Sequence, residues 1–104
     1  MPASNARNLT VFRSRLNDDS RPEYTPLVME MVERVKAYPG FVSFKTFVAE
    51  DGERCTIVEF ADDASEQAWA HDARHGHAMD RGRDAFFSDY NIKVCTVQRE
   101  LTPR

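Results

Sequence analysis

Residues 41–60 read FVSFKTFVAEDGERCTIVEF, and this stretch decides the fold. Its two halves, Phe41 to Ala49 and Arg54 to Phe60, are rich in the aromatic and β-branched side chains that suit extended backbone. Between them lies Asp51-Gly52, a pair that accepts the left-handed backbone of a tight turn. The spacing predicts a β-hairpin. A two-residue turn there pairs Val48 with Cys55, Thr46 with Ile57 and Phe44 with Glu59 on one face. It pairs Phe47 with Thr56, Lys45 with Val58 and Ser43 with Phe60 on the other.

Upstream of the hairpin, Tyr24, Leu27, Val28, Met31, Val35 and Tyr38 recur at helical period, and Pro39-Gly40 stops the run. Two starts compete. Ser20-Arg21-Pro22-Glu23 has capping-box spacing, whereas Thr25 as cap would put Pro26 at the first helical position, where proline costs nothing. Before the helix, Asn8 to Leu16 alternates as a strand, with Leu9 and Val11 on one face and Thr10, Phe12 and Ser14 on the other. Asn17-Asp18-Asp19-Ser20 punctuates it, and residues 1–7 read as a polar tail. Downstream, Asp62-Asp63 offers an N-cap for a helix through Ala64, Ala68 and Trp69. A second helical stretch, about Arg74 to Phe87, stripes His75, Met79, Gly82 and Phe86, and Ile92 to Arg99 forms the last strand. The order is βαββαβ with a split second helix. This is an α+β, ferredoxin-like arrangement with a four-stranded antiparallel sheet, expected as one domain over residues 8–104.

In that topology the first strand lies between the third and fourth. Cys55 and Cys95 are then about 10 Å apart, two strand spacings, too far for a disulfide. The predicted faces are also informative. Phe44 and Ile57 share one side of the hairpin, Phe41, Phe47, Val58 and Phe60 the other, and the last strand is apolar on both. Helices cover only one side of such a sheet. The expectation is a second copy of the chain against the other, in an isologous dimer.

The chain has 104 residues and a formal net charge of −3, which gives no basic field for a nucleic-acid backbone. No run approaches the ~20 apolar residues of a membrane span, and the opening residues lack the apolar core of a secretion signal. The expectation is a cytoplasmic protein with reduced thiols, no nucleic-acid partner and no membrane.

Among candidate site residues, Trp69 either packs in the core or orients a flat aromatic ligand. His75, on the stripe with Met79 and Phe86, is either a buried imidazole bonded to backbone or a general base toward a phenol. His71 and His75 have the i, i+4 spacing of a metal pair, but no third ligand is evident, so no metal is expected. Glu59 shares its predicted hairpin face with Val42, Phe44, Val48, Cys55 and Ile57. It is either paired with a cation or raised in pKa as a second candidate base. Tyr24 and Tyr90 pack or lend hydroxyls to a pocket edge. Glycine-rich phosphate loops, nucleophile elbows and flavin fingerprints are all missing, so no bound cofactor is expected.

Tyr38-Pro39-Gly40-Phe41-Val42-Ser43-Phe44, the Asp51-Gly52 hairpin, Val58-Glu59-Phe60, Ser65-Glu66-Gln67-Ala68-Trp69 with His71 and His75, and Arg81-Gly82-Arg83 together resemble the antibiotic-biosynthesis monooxygenase family. The resemblance spans roughly residues 8 to 100. It implies a dimeric α+β barrel and, in the quinone-forming members, oxidation of phenols by O₂ without a cofactor. Those members carry an asparagine, a tryptophan and a tyrosine where this chain has Thr56, Phe60 or Ala61, and Trp69. Haem-opening members carry an asparagine, a tryptophan and a histidine where it has Ser14, Trp69 and roughly Met79. The resemblance therefore implies a cofactor-independent monooxygenase acting on a small electron-rich aromatic, with His75, Trp69 and Glu59 as catalytic candidates. Ser14, Tyr24, Thr56, Phe60, Met79, Phe86 and Tyr90 are the candidate substrate contacts. The alternatives are a non-catalytic barrel that binds an apolar ligand, and a haem-binding or haem-degrading protein.

Overall fold

A computed structural model describes residues 6–17, 19 and 21–103. Its elements are β1 (Asn8–Leu16), α1 (Arg21–Lys36), β2 (Phe41–Val48), β3 (Arg54–Phe60), α2 (Asp63–Ala70), α3 (Ala73–Arg81), a π-helical turn (Gly82–Phe86) and β4 (Phe87–Thr96). The strands form one antiparallel sheet in the order β2-β3-β1-β4, the ferredoxin-like topology expected from the sequence. Cys55 and Cys95 are free thiols on strands separated by β1.

Helix α1 takes the longer of the two predicted courses, so Pro26 lies inside it. Pro22 and Pro26 both face solvent, where the carbonyl left without an N–H partner can be hydrated. The proposed cap Ser20 lies outside the described residues, as do Asp18 and the first five residues of the predicted tail. Helix α2 starts as expected. The Asp62 carboxylate accepts from the Ser65 backbone N–H at 2.8 Å and from the Ser65 hydroxyl at 2.7 Å.

The hairpin register differs from the prediction by one residue. Ala49 N–H donates to the Glu53 carbonyl at 2.8 Å and Gly52 N–H to the Ala49 carbonyl at 2.9 Å, so the loop is Glu50-Asp51-Gly52. Gly52 takes φ +91°, as the last residue of a three-residue hairpin loop must. Val48 therefore pairs with Arg54, Phe47 with Cys55, Thr46 with Thr56, Lys45 with Ile57, Phe44 with Val58 and Ser43 with Glu59. A one-residue slip moves every side chain of one strand to the other face. Phe44 thereby joins Val58 and Phe60 beneath the helices, and Glu59 goes to the open side with Cys55 and Ile57.

The segregation is consequently cleaner than the predicted two-sided sheet. Met31 and Val35 of α1, Val58 and Phe60 of β3 and Trp69 of α2 form the core, edged by Leu27, Tyr38, Phe41, Phe44 and Ala78. The open side mixes Leu9, Val11, Ile57 and Phe47 with three ion pairs: Arg7–Glu59, Arg13–Glu53 and Arg15–Asp51, each at 2.8 Å.

A second correction concerns the C-terminal third. The helix expected to reach Phe87 ends at Arg81, and β4 runs Phe87–Thr96 rather than Ile92 to Arg99. The cause lies in β1, which needs a partner along its whole length. Its pairing with β4 runs from Asn8–Thr96 to Leu16–Phe87. The π-helical turn makes the change of direction, held by Asn17, whose backbone N–H donates to the Phe86 carbonyl at 2.7 Å and whose side-chain amide donates to that of Ala85 at 3.0 Å.

Candidate active site

Cross-strand registers sort the helix side of the sheet into rows. Val48, Arg54, Ser14 and Tyr90 form one, and Thr46, Thr56, Phe12 and Ile92 the next. Phe44, Val58, Thr10 and Val94 form a third. Helix α1 lies over β2, α2 over β1 and β3, and α3 leans chiefly on α1. Strand β4 is left uncovered on this side, so Tyr90, Ile92 and Val94 stay 40–52% exposed although they point the same way as the core. The result is an uncovered strip of sheet along β4, with the helical layer as the wall beside it.

The wall is built around a break between helices. Helix α2 ends at Ala70 and α3 begins at Ala73, with Asp72 as its N-cap. The Asp72 carboxylate accepts from the His75 backbone N–H at 2.9 Å, from Arg34 of α1 at 2.8 Å and, through a short bond, from the Tyr38 hydroxyl. Arg34, then Tyr38, then the His75 N–H hold this carboxyl far below the ordinary carboxylate range. The break turns the His75 ring flat onto Trp69, with centroids 4.2 Å apart and planes 14° apart, while Tyr38 meets the other ring edge-on.

His75 Nδ1 lies 3.1 Å from the Trp69 carbonyl. A carbonyl only accepts, so Nδ1 carries the proton and Nε2 keeps its lone pair. Burial pushes the His75 pKa down, against smaller upward effects of the Trp69 carbonyl and Asp72. The imidazole is therefore neutral at pH 7, tautomerically fixed and equipped to take a proton. Met79, one turn on, shares its side of α3. His71 is exposed and donates Nδ1–H to the Gln67 carbonyl at 2.8 Å, with no role in this stack.

Loss of the Asp72 carboxylate removes a cap and two tertiary bonds. Asp72→Ala is expected to lower the melting temperature by about 8 °C or more, since a cap alone is worth about 4–8 °C in a domain of this size. The folded-state pKa is depressed, so the stabilisation is complete above the unfolded value of about 3.9 and fades as the pH falls below it. Melting curves should show the gap between wild type and variant closing below about pH 4.

Beside this wall stands an aromatic cluster. Tyr24 meets Phe86 and Phe87 edge-on at 5.7 and 5.9 Å, Phe12 meets Phe87 at 5.3 Å, and Tyr90 stacks on Phe12 at 6.2 Å. Gly82 permits the close approach, because a Cβ there would come within 2.4 Å of the Phe87 ring. Thr46 and Thr56 share a hydroxyl hydrogen bond of 2.7 Å.

The predicted site residues thus divide. Trp69 and His75 are stacked, and Ser14, Tyr24, Thr56, Met79, Phe86 and Tyr90 all belong to the helix side. Phe60 also points there but is 0% exposed in the core, leaving no surface for a ligand. Glu59 is on the opposite face of the sheet, paired with Arg7, and cannot serve the same site as His75. Four polar groups with defined places escape sequence reading: Asp72, Tyr38, Arg54 and Glu66. Glu66 is buried in α2, and burial followed by Asp63 raises its pKa.

Fold and site define a small α+β protein with one helical layer, a tryptophan–histidine stack and an aromatic cluster on the helix side. No protein-family model matches the chain. It is 23% identical over 90 residues to the uncharacterized protein YqjZ of Bacillus subtilis, covering 86% of this chain and 79% of that one. Among solved structures, it superposes on SnoaB, a cofactor-independent oxygenase from Streptomyces nogalater, with TM-score 0.76 and 14% identity over 94% of this chain and 99% of that one. An antibiotic biosynthesis monooxygenase gives TM-score 0.74 and 15% identity over 88% and 99%. The chain therefore has the fold of the antibiotic-biosynthesis monooxygenases, as the sequence resemblance implied.

Proposed function

We propose that the chain is a cofactor-independent monooxygenase that converts a small electron-rich phenol to a quinone with O₂; a hydroquinone in the same place would give up two electrons, yielding its quinone and hydrogen peroxide. The observation that carries this reading is the His75–Trp69 stack, which holds a neutral imidazole on the helix side of the sheet with its Nε2 lone pair uncommitted to the backbone. Nε2 takes the phenolic proton. The phenolate is electron-rich enough to reduce O₂ directly, forming a carbon–oxygen bond at its unsubstituted para carbon. The proton held by His75 then goes to the peroxide, the O–O bond breaks, and loss of water leaves the quinone. One phenol and one O₂ give one quinone and one water, and the four electrons come from the substrate. Trp69, buried in the core, holds the imidazole in place, and the aromatic cluster orients the ring and excludes water.

The likeness to SnoaB supports this reading at the level of fold. Oxygen uptake with a panel of naphthols and hydroquinones tests it, with quinone followed by absorbance. Stoichiometric quinone formation is expected for at least one member. No uptake with any, while ligands still raise the melting temperature, would favour a non-catalytic barrel that binds aromatics. The functional unit in this reading is a homodimer joined through the open sheet face, where Phe47 is 47% exposed near half-buried Leu9, Val11 and Ile57. Sedimentation equilibrium at micromolar concentration should return twice the chain mass.

A further inference from the structure

Arg54 opens β3 on the helix side of the sheet, in the row Arg54–Ser14–Tyr90. Its guanidinium lies over the Tyr24 ring, 5.8 Å from the centroid. The Nε atom is buried and has no hydrogen-bond partner, the only side-chain nitrogen or oxygen of that kind among the described residues. The neighbouring acids offer it nothing, since Glu53 pairs with Arg13 and Asp51 with Arg15 on the open side. Ser14 beside it is only 3% exposed, and a hydroxyl in such a place is rarely left without a use.

A buried N–H without an acceptor is costly, and costlier on a cation. The planar edge formed by Nε and one Nη matches the two oxygens of a carboxylate. Tyr24 lies against the guanidinium and Tyr90, 40% exposed, ends the same row, a surround that suits a flat arene attached to that carboxylate. The unmet donor, the fork geometry and the aromatic surround ask for the same ligand.

We infer that Arg54, with the Ser14 hydroxyl beside it, holds the carboxylate of a small aromatic acid whose ring lies over the exposed Tyr90 at the end of the same row. The inference deepens the reading above, on which it rests, by giving the phenolic substrate a second, acidic group and a fixed orientation.

Calorimetric titration under anaerobic conditions tests this with two probes, 1-hydroxy-2-naphthoate and 1-naphthol, which share a ring system and differ by the carboxylate. The wild type is expected to bind the acid about tenfold or more tightly than the naphthol, a typical gain for a bidentate charged pair. Arg54→Gln should abolish that preference and leave 1-naphthol binding within about twofold, and Arg13→Gln on the open face should retain it. Should Arg54→Gln fail to fold, Arg54→Lys carries the test, because it keeps the charge, loses the fork and must cut the preference. Equal affinities in the wild type, no binding of the acid, or a preference that survives at residue 54 overturns the inference. No oxygen enters the experiment. A protein that binds the acid yet never oxidises a phenol keeps this inference and loses the oxygenase, and one that oxidises neutral phenols but ignores the acid does the reverse.

Discussion

Replacing His75 by alanine is expected to lower kcat/KM for the preferred phenol by about 10²–10⁴-fold, the contribution of a positioned general base. The imidazole is held by three features at once: its backbone N–H on Asp72, its Nδ1–H on the Trp69 carbonyl, and its ring on the indole. Only Nε2 remains for chemistry. Because burial lowers its pKa, the active unprotonated form dominates at neutral pH. The wild-type rate should therefore rise with pH through a midpoint below the ordinary histidine value of about 6.5 and be flat by pH 7. Rates from an oxygen electrode between pH 4.5 and 8 would show that limb in the wild type and lack it in the variant. A variant within threefold of wild type, with the same profile, would move the base elsewhere. Asp72 acts on this chemistry through the geometry of the stack and through a small upward pull on the His75 pKa, so its loss should alter KM and thermal stability and move the pH midpoint slightly down.

The second large effect is structural. Phe60→Ala should cost about 3–5 kcal/mol, against a total stability of about 5–15 kcal/mol for a domain of this kind. Phe60 and Val35 are both 0% exposed, and Met31, Val58 and Trp69 complete the cluster around them. The residue closes β3 where it pairs with Asn8 and Phe41, and α2 begins three positions later. Backbone ties on both sides limit collapse into the space left behind, which places the cost toward the upper end. Urea denaturation with a shared slope would measure it as a shift in midpoint. A loss below about 1 kcal/mol would mean that the helical layer settles onto the sheet more freely than close packing allows.

The fold was legible because each element advertises itself locally: Leu9 to Ser14 by alternation, Leu27 to Tyr38 by helical period, Asp62 by capping chemistry. The register was not. Asp51-Gly52 fits a two-residue loop as well as the last two positions of a three-residue one, and only Ala49–Glu53 pairing distinguishes them. That single residue misplaced Glu59 among candidate bases and made the sheet look apolar on both sides. The start of β4 was hidden because Ser88-Asp89 reads as loop, while the length of β1 demanded strand. In the site, Trp69 and His75 were visible as residue types, but their stacking depends on the change of direction at Asp72, which no periodicity contains. In the sequence Arg54 is only the first residue of a predicted strand. Its importance lies in what it lacks, and a missing partner is a property of three-dimensional neighbours.

The fastening of α3 bears on how the helical layer opens. The helix contains no fully buried residue, and Arg74 and Arg81 tie it to Glu30 and Glu23 of α1 through exposed paired bonds. Such bonds are weak in water and weaken further as salt rises, unlike the close packing that holds α1 to the sheet. Local opening follows the weakest attachments, so α3, held to the core by Ala78 and the His75 stack, is expected to open before the strands separate. Hydrogen exchange at the α3 amides is then expected to quicken as ionic strength rises, while that of the sheet beneath stays unchanged.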